Sequence, residues 1–161
     1  MANDAYLLIA TVDGESVAQG MTNNIELDSF SFGASNPADV GGGGLSAGKC
    51  SLSDFSFTCA VDKASYQILK ALYTGQHIAT TTFSLRKSTG AATPYTYLQV
   101  TMTNCYITSN SIGGGGVGVP SQSVSIAYEQ ILYTYYTQDT SSGAVTQAGA
   151  ATYNIGAVQQ S

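Results

Sequence analysis

The sequence predicts a mainly β fold, mostly antiparallel, with one α-helix, in a single domain spanning residues 1–161. Three observations carry this. Residues 50–61 alternate, with Phe55, Phe57, Cys59 and Val61 on one side and Asp54, Ser56 and Thr58 on the other, the period of a half-buried strand. Residues 77–87, 95–107 and 122–136 are long β-rich runs; at roughly 3.3 Å per residue they extend about 36–50 Å, more than a small sandwich needs. Only Tyr66–Tyr73 carries a helical stripe, made by Ile68, Leu69 and Leu72.

In chain order, residues 5–12 form the first strand. Tyr6, Leu8, Ala10 and Val12 fall on one face, Leu7 and Ile9 on the other, so both faces are expected to be covered. Asp13–Ser16 is a turn. Residues 24–32 form a second strand whose apolar phase switches between Ile25/Leu27 and Phe30/Phe32. A bulge produces such a switch, and so does burial of both faces, one of them against another subunit. A long glycine-rich loop follows at about 33–49. Loops of this length without structure of their own are usually functional or disordered. The helix after strand 50–61 has Asp62 or Ala64-Ser65 as its cap and Gly75 where a left-handed C-cap belongs. Strand 77–87 contains Phe83 and Leu85. Strand 95–107 sets Leu98, Val100 and Met102 against Tyr95, Tyr97, Gln99, Thr101 and Thr103. Strand 122–136 carries Val124, Ile126, Tyr128 and Leu132, then Ile131, Tyr133 and Tyr135 on the opposite face. A short run at 151–155 precedes a polar tail, about 156–161. The tetraglycines at 41–44 and 113–116 have unrelated flanks and mark two loops, not a duplication.

Composition narrows the function. Charged residues make up 9% of the chain and the net charge is −5, which argues against a nucleic-acid partner. The N-terminus has no basic region, and its apolar run stops at Asp13, so no signal peptide, transmembrane helix or membrane insertion is expected. Cys50, Cys59 and Cys105 show no metal spacing and are expected to be free thiols.

Catalytic motifs are missing or broken, and the expectation is no enzyme and no cofactor. Gly43–Cys50 fits a phosphate-cradling G-x-x-x-x-G-K, but Cys50 stands where Ser or Thr binds magnesium, and a strand follows where the motif needs a helix. The one histidine, His77, sits after the helix without a nucleophile elbow in the chain. Glu26 and Asp28 share a strand face but form no catalytic or metal-binding cluster in the sequence.

Several ordered motifs resemble the hemolysin-coregulated protein family: Leu27-x-Ser29-Phe30-x-Phe32-Gly33, a glycine loop ending in Gly48-Lys49, Asp54-Phe55-x-Phe57, Val61-Asp62-Lys63, Gly75-x-His77 and Leu85-Arg86-Lys87. The resemblance spans roughly residues 4–155. It implies an antiparallel β-barrel-like or two-sheet fold with one helix, similar to phage tail-tube proteins. It further implies the inner tube of a bacterial type VI secretion system: hexameric rings stacked into a hollow tube, driven out by a contractile sheath, with a spike protein at the tip and small effectors in the lumen. Such a protein assembles in the cytoplasm and leaves by a non-Sec route. The loop then becomes the extension that reaches neighbouring subunits and the next ring, with Asn36, Pro37, Asp39, Val40, Gly43, Leu45 and Lys49 as candidate contacts. The resemblance departs from the family at Cys59, often a basic residue in relatives, and at Tyr66, often a proline.

The residues agree on separate grounds. Strands apolar on both faces need cover from other copies. The uncharged faces carrying Thr80, Thr82 and Ser84, or Gln99 and Thr101, suit a wet lumen or, equally, outer solvent. Two other readings are a tail-tube subunit of another phage-like contractile particle and a soluble β-sandwich binding module that uses its tyrosines as sugar platforms.

Overall fold

A computed structural model describes residues 4–39, 41, 46–87, 94–139, 141–156 and 159–160. The elements in order are β1 (Asp4–Ile9), β2 (Ile25–Glu26), β3 (Ser29–Ser31), β4 (Ala34–Ser35), β5 (Ala38–Asp39), β6 (Ser46–Ala47), β7 (Ser51–Leu52), β8 (Phe55–Ala60), α1 (Ala64–Thr74), β9 (Ile78–Lys87), β10 (Tyr95–Gly113), β11 (Ser121–Gln138), β12 (Val145–Asn154) and β13 (Gln159–Gln160). The fold is a curled antiparallel sheet with one helix, as expected.

The two long strands organise it. β10 and β11 pair along nearly their whole length, from Leu98↔Tyr135 to Gly113↔Ser121. Their ends take different partners. The first part of β10 pairs with β9, which pairs with β1, and the last part of β11 pairs with β12. The first part of β11 pairs instead with β8, and β8 with β3. Each long strand therefore serves two half-sheets, which is why it exceeds the length a sandwich strand needs. Where the halves meet, Asn104 adopts φ 54°, a left-handed conformation uncommon outside glycine. Its twist shifts the pleat: the buried residues of β10 run Leu98, Val100, Met102 before it and Cys105, Ile107 after it. β11 shifts opposite, from Val124, Ile126, Tyr128 to Ile131.

The phase switch at 24–32 has a similar origin. It comes from a change of partner: β2 pairs with β1 and β3 with β8. Leu27 N–H still donates to Ala5 O, while Asp28 N–H already donates to Thr58 O.

One core lies between the half-sheets. Phe55, Phe83, Leu7, Ile9, Ile25, Met102 and Ile126 are buried there. Phe30 and Phe55 pack on Phe83 with ring centroids 4.4 and 5.2 Å away. Helix α1 closes the core with Ala64, Ile68 and Ala71. Both expected capping groups take part in its N-terminus. Asp62 Oδ1 accepts from Ala64 N–H at 3.0 Å, and Ser65 Oγ accepts from Asp62 N–H at 3.0 Å, a reciprocal arrangement like a capping box. Gly75 ends the helix at φ 62°.

Two expectations change. The 33–49 segment has structure of its own: β4 pairs with β7 and β5 with β6, making a two-stranded arm. Gly48 N–H donates to Pro37 O at 2.9 Å, and a Cβ on Gly48 would meet Pro37 Cγ at 2.6 Å. Glycine is thus required for the two sides of the arm to approach. The final strand also begins earlier than 151: β12 starts at Val145. Its first seven residues are exposed, so no apolar alternation marks them.

Candidate functional site

Three surfaces stand out among the described residues. The first is the outer face of the half-sheet ordered β3–β8–β11–β10. Its strands turn most of their aromatic and aliphatic residues inward, Phe55, Phe57, Ile107, Val124 and Ile126 among them, while Tyr106 and Ile112 are exposed. Alternation, reset in β10 by the irregularity between Ile107 and Ser109, then leaves hydroxyls outside. Register sets them in rows across the four strands: Ser31, Ser56, Ser125 and Ser109 in one, Ser29, Thr58, Ser123 and Ser111 in the next. Neighbours bond directly, Ser29 Oγ to Thr58 Oγ1 at 2.6 Å and Ser56 Oγ to Ser125 Oγ at 3.0 Å. The rows line a shallow trough of about 400 Å³ that has no charged residue in its lining. Both outer edges of this half-sheet are open among the described residues: β3 pairs only with β8, and β10 beyond Cys105 pairs only with β11. The sequence reading did not single out this face. Its signal was Ser29-x-Ser31, Ser109-x-Ser111 and Ser121-x-Ser123-x-Ser125, serine at period 2.

The second surface carries the residues expected to face a lumen. Register brings them together on one face of β9 and β10, with Thr82 opposite Thr101 and Ser84 opposite Gln99. Thr80 is exposed, and Thr82, Gln99 and Thr101 are half-buried. Ser84 is only 4% exposed in the single chain. Its end of the face is closed by Arg86, whose Nη1 donates to Gln19 O at 2.9 Å and whose guanidinium lies 5.8 Å from the Tyr6 ring centroid. This face belongs to the other half-sheet, so the two polar surfaces point away from a shared core.

The third is the arm and its base. Asn36, Pro37 and Lys49 are exposed on it, and Asp39 lies in β5. Val40, Gly43 and Leu45 lie outside the described residues. The base is tied to the body. Tyr128 Oη donates to Ser53 O at 2.8 Å, Tyr153 Oη to Cys50 O at 3.3 Å, and Ser53 Oγ bonds both Gly33 N–H and Gly33 O. Burial, with help from the Asp54 carboxylate, pushes the Tyr128 phenol up to about 12, so it remains a hydrogen-bond donor at physiological pH. Beneath the arm base lies an apolar groove of about 460 Å³, lined by Phe32, Leu52, Ile131, Tyr133 and others.

The groups weighed for catalysis have structural partners. His77 Nε2 contacts Asn104 Oδ1 at 3.0 Å, and Asn104 Nδ2 donates to Glu129 Oε2 at 2.8 Å. Strand β7 begins at Ser51, where a phosphate loop needs a helix. The described residues contain no group of three His, Cys, Asp or Glu able to hold a metal. Burial pushes the Cys59 thiol up to about 11, which leaves it a thiol and not a nucleophile. No helix among the described residues is long and apolar enough to cross a membrane.

A family model described as "Type VI secretion system effector, Hcp" matches residues 6–135. The chain belongs to the Hcp family. The resemblance in its motifs is thereby borne out. Members of this family are secreted, structural proteins of the type VI secretion system and are not known as enzymes. Among relatives, Protein hcp1 of Pseudomonas aeruginosa is 31% identical over 140 residues, 86% of either chain. A solved structure of a type six secretion system protein superposes with a TM-score of 0.91 at 26% identity, covering 99% of this chain and 100% of that one. Hcp1 from Salmonella typhimurium matches with a TM-score of 0.79, also at 26% identity and over the full length of both chains. Like these Hcp proteins, the chain is mainly β with a single helix.

Proposed function

We propose that this Hcp protein is the tube subunit of its secretion system: six copies close into a ring, rings stack into a hollow tube, and small effectors ride in the lumen. The observation that carries this reading is the four-stranded half-sheet with two edges open among the described residues and rows of hydroxyls across its face. Open strand edges pair with other chains unless they are blocked. Neither β3 nor β10 beyond Cys105 contains a proline or a charged side chain to block it. Joining β3 of one copy to β10 of the next is a heterologous contact, which closes as a ring or continues as a filament. Six copies of four strands make a wall of about 24 strands. At about 4.8 Å between strands its circumference is about 115 Å and its backbone diameter about 37 Å, before strand tilt widens it.

The hydroxyl rows would then line the lumen. They bind water well, and the rows themselves carry no fixed charge; the one carboxylate beside them, Asp54, is held by the Thr108 hydroxyl at 2.9 Å. The Thr80, Thr82, Ser84, Gln99 and Thr101 face is the other candidate lining, but its buried Ser84 makes it the poorer wet wall. The arm, with Asn36, Pro37, Asp39, Val40, Gly43, Leu45 and Lys49, extends beyond the wall toward neighbouring subunits and the next ring. The protein performs no chemistry of its own. It assembles in the cytoplasm, a contractile sheath expels it by a non-Sec route, and a spike protein sits at the tube tip.

Light scattering on the purified chain tests closure. The subunit mass is 16.6 kDa, so a hexameric ring weighs about 100 kDa. A monomeric mass at every concentration would contradict the ring.

A further inference from the structure

We propose that the β10–β11 hairpin tip of one ring seats in the apolar groove under the arm of the next ring. The inference rests on the tube reading above and names the contact that stacks it. At the tip, Val117 is 96% exposed and Val119 72% exposed, with Ile112 beside them at 46%. Glycines 113–116 and Gly118 at φ 86° surround them, so two valines stand out of a loop with almost no side chains of its own. Isolated exposed apolar residues are ordinary, but a clustered pair on a projecting turn marks a contact.

The groove is the matching hole. Phe32, Leu52, Tyr128, Ile131, Tyr133 and Tyr153 line a space of about 460 Å³. The charge pattern also matches. No charged residue lines the groove, and none lies in Ile112–Ser121. Beside the groove, Lys49 is exposed next to its lining residue Cys50, and beside the tip Glu15, Glu26 and Asp62 surround Val119. Docking therefore brings a cation toward carboxylates while the seam itself stays neutral. Asp54, the carboxylate at the groove end, is turned onto the hydroxyl face, where its Oδ2 accepts from Thr108 Oγ1 at 2.9 Å.

Tip and groove lie at opposite ends of the same strand pair. β8 pairs with β11 from Ala60↔Ser121, next to the tip, to Phe55↔Ile126, two residues short of the groove at Tyr128. Five residues at about 3.4 Å separate these ends by about 17 Å, so no copy fills its own groove. The ring closes sideways through strand edges, which leaves strand ends as its two rims. A knob on one rim and a hole on the other is a heterologous contact that repeats without limit, as a tube requires.

Cys50 in the groove supplies the test. Val117→Cys, on assembled protein under mild oxidation, is expected to bond to native Cys50 of the next ring and give a ladder extending past the hexamer on non-reducing electrophoresis. The ladder should vanish in Val117→Cys/Cys50→Ala and be absent from the wild type. Val117→Asp/Val119→Asp should leave rings at wild-type mass while stacks shorten to single rings in electron micrographs. Stacks without a ladder would overturn this contact and leave the tube intact. A ladder that forms in single rings and stops at six would place the contact between ring neighbours and overturn the stacking role. Failure to form rings at all would remove the tube reading and this contact together.

Discussion

Tyr128 shows how one side chain joins core, arm and pH response. Its ring is buried against the core, and its hydroxyl holds Ser53 O at the arm base. The folded phenol titrates near 12, against an ordinary value of 10.0. A group whose folded pKa is raised contributes stability below the unfolded value and loses it as pH rises through the folded value. The wild type should therefore lose stability between about pH 10 and 12, measured by denaturant unfolding. Tyr128→Phe should show a flatter alkaline limb and, at pH 7, a loss of about 1 kcal/mol for the hydrogen bond. An unchanged alkaline limb would assign the loss to other groups. Single residues also set the limits of the sequence reading. Gly75, Asp62 and Ser65 announced their capping roles by type and position. Asn104 did not, because a left-handed asparagine inside a strand looks like any other polar residue. The pleat shift it causes is what made the two long runs carry apolar residues on both faces.

Among the elements, those with an apolar stripe were legible: β1, β8, α1, β9, and the existence of β10 and β11. The elements missed lack that stripe for physical reasons. β12 is exposed on both sides of the single chain, so no pattern of burial is written into Val145–Ala151. The arm is built of two-residue ladders, too short for a period to appear in glycine- and serine-rich sequence. Its described side chains at 34–38 and 48–49 are exposed and lie outside the core. Deleting Asn36–Leu45 should change the stability of the body by no more than about 1 kcal/mol, since loop length weighs only logarithmically on stability. The same deletion should abolish stacking, measured as tube length in electron micrographs. Tubes of normal length would show that the arm plays no part in assembly.

For the whole molecule, the motifs between Leu27 and Lys87 were enough to identify the Hcp family and its fold. The surfaces were harder to read. The Thr80–Thr101 face follows from alternation within single strands. The hydroxyl rows depend on register between strands distant in sequence: Ser31 beside Ser56, Ser56 beside Ser125, Ser125 beside Ser109. The half-sheet's open edges are likewise a property of pairing and not of any one strand. Together they state the central claim, that copies join edge to edge with their hydroxyl faces inward.

Electron-microscopy class averages of the purified chain test that claim most directly. Six-fold rings enclosing a hole about 37 Å or somewhat wider between backbones, and closing through β3 and β10, are the predicted result. Solid particles, a uniform monomer, or rings whose inner wall is the Thr80–Thr101 face would contradict it.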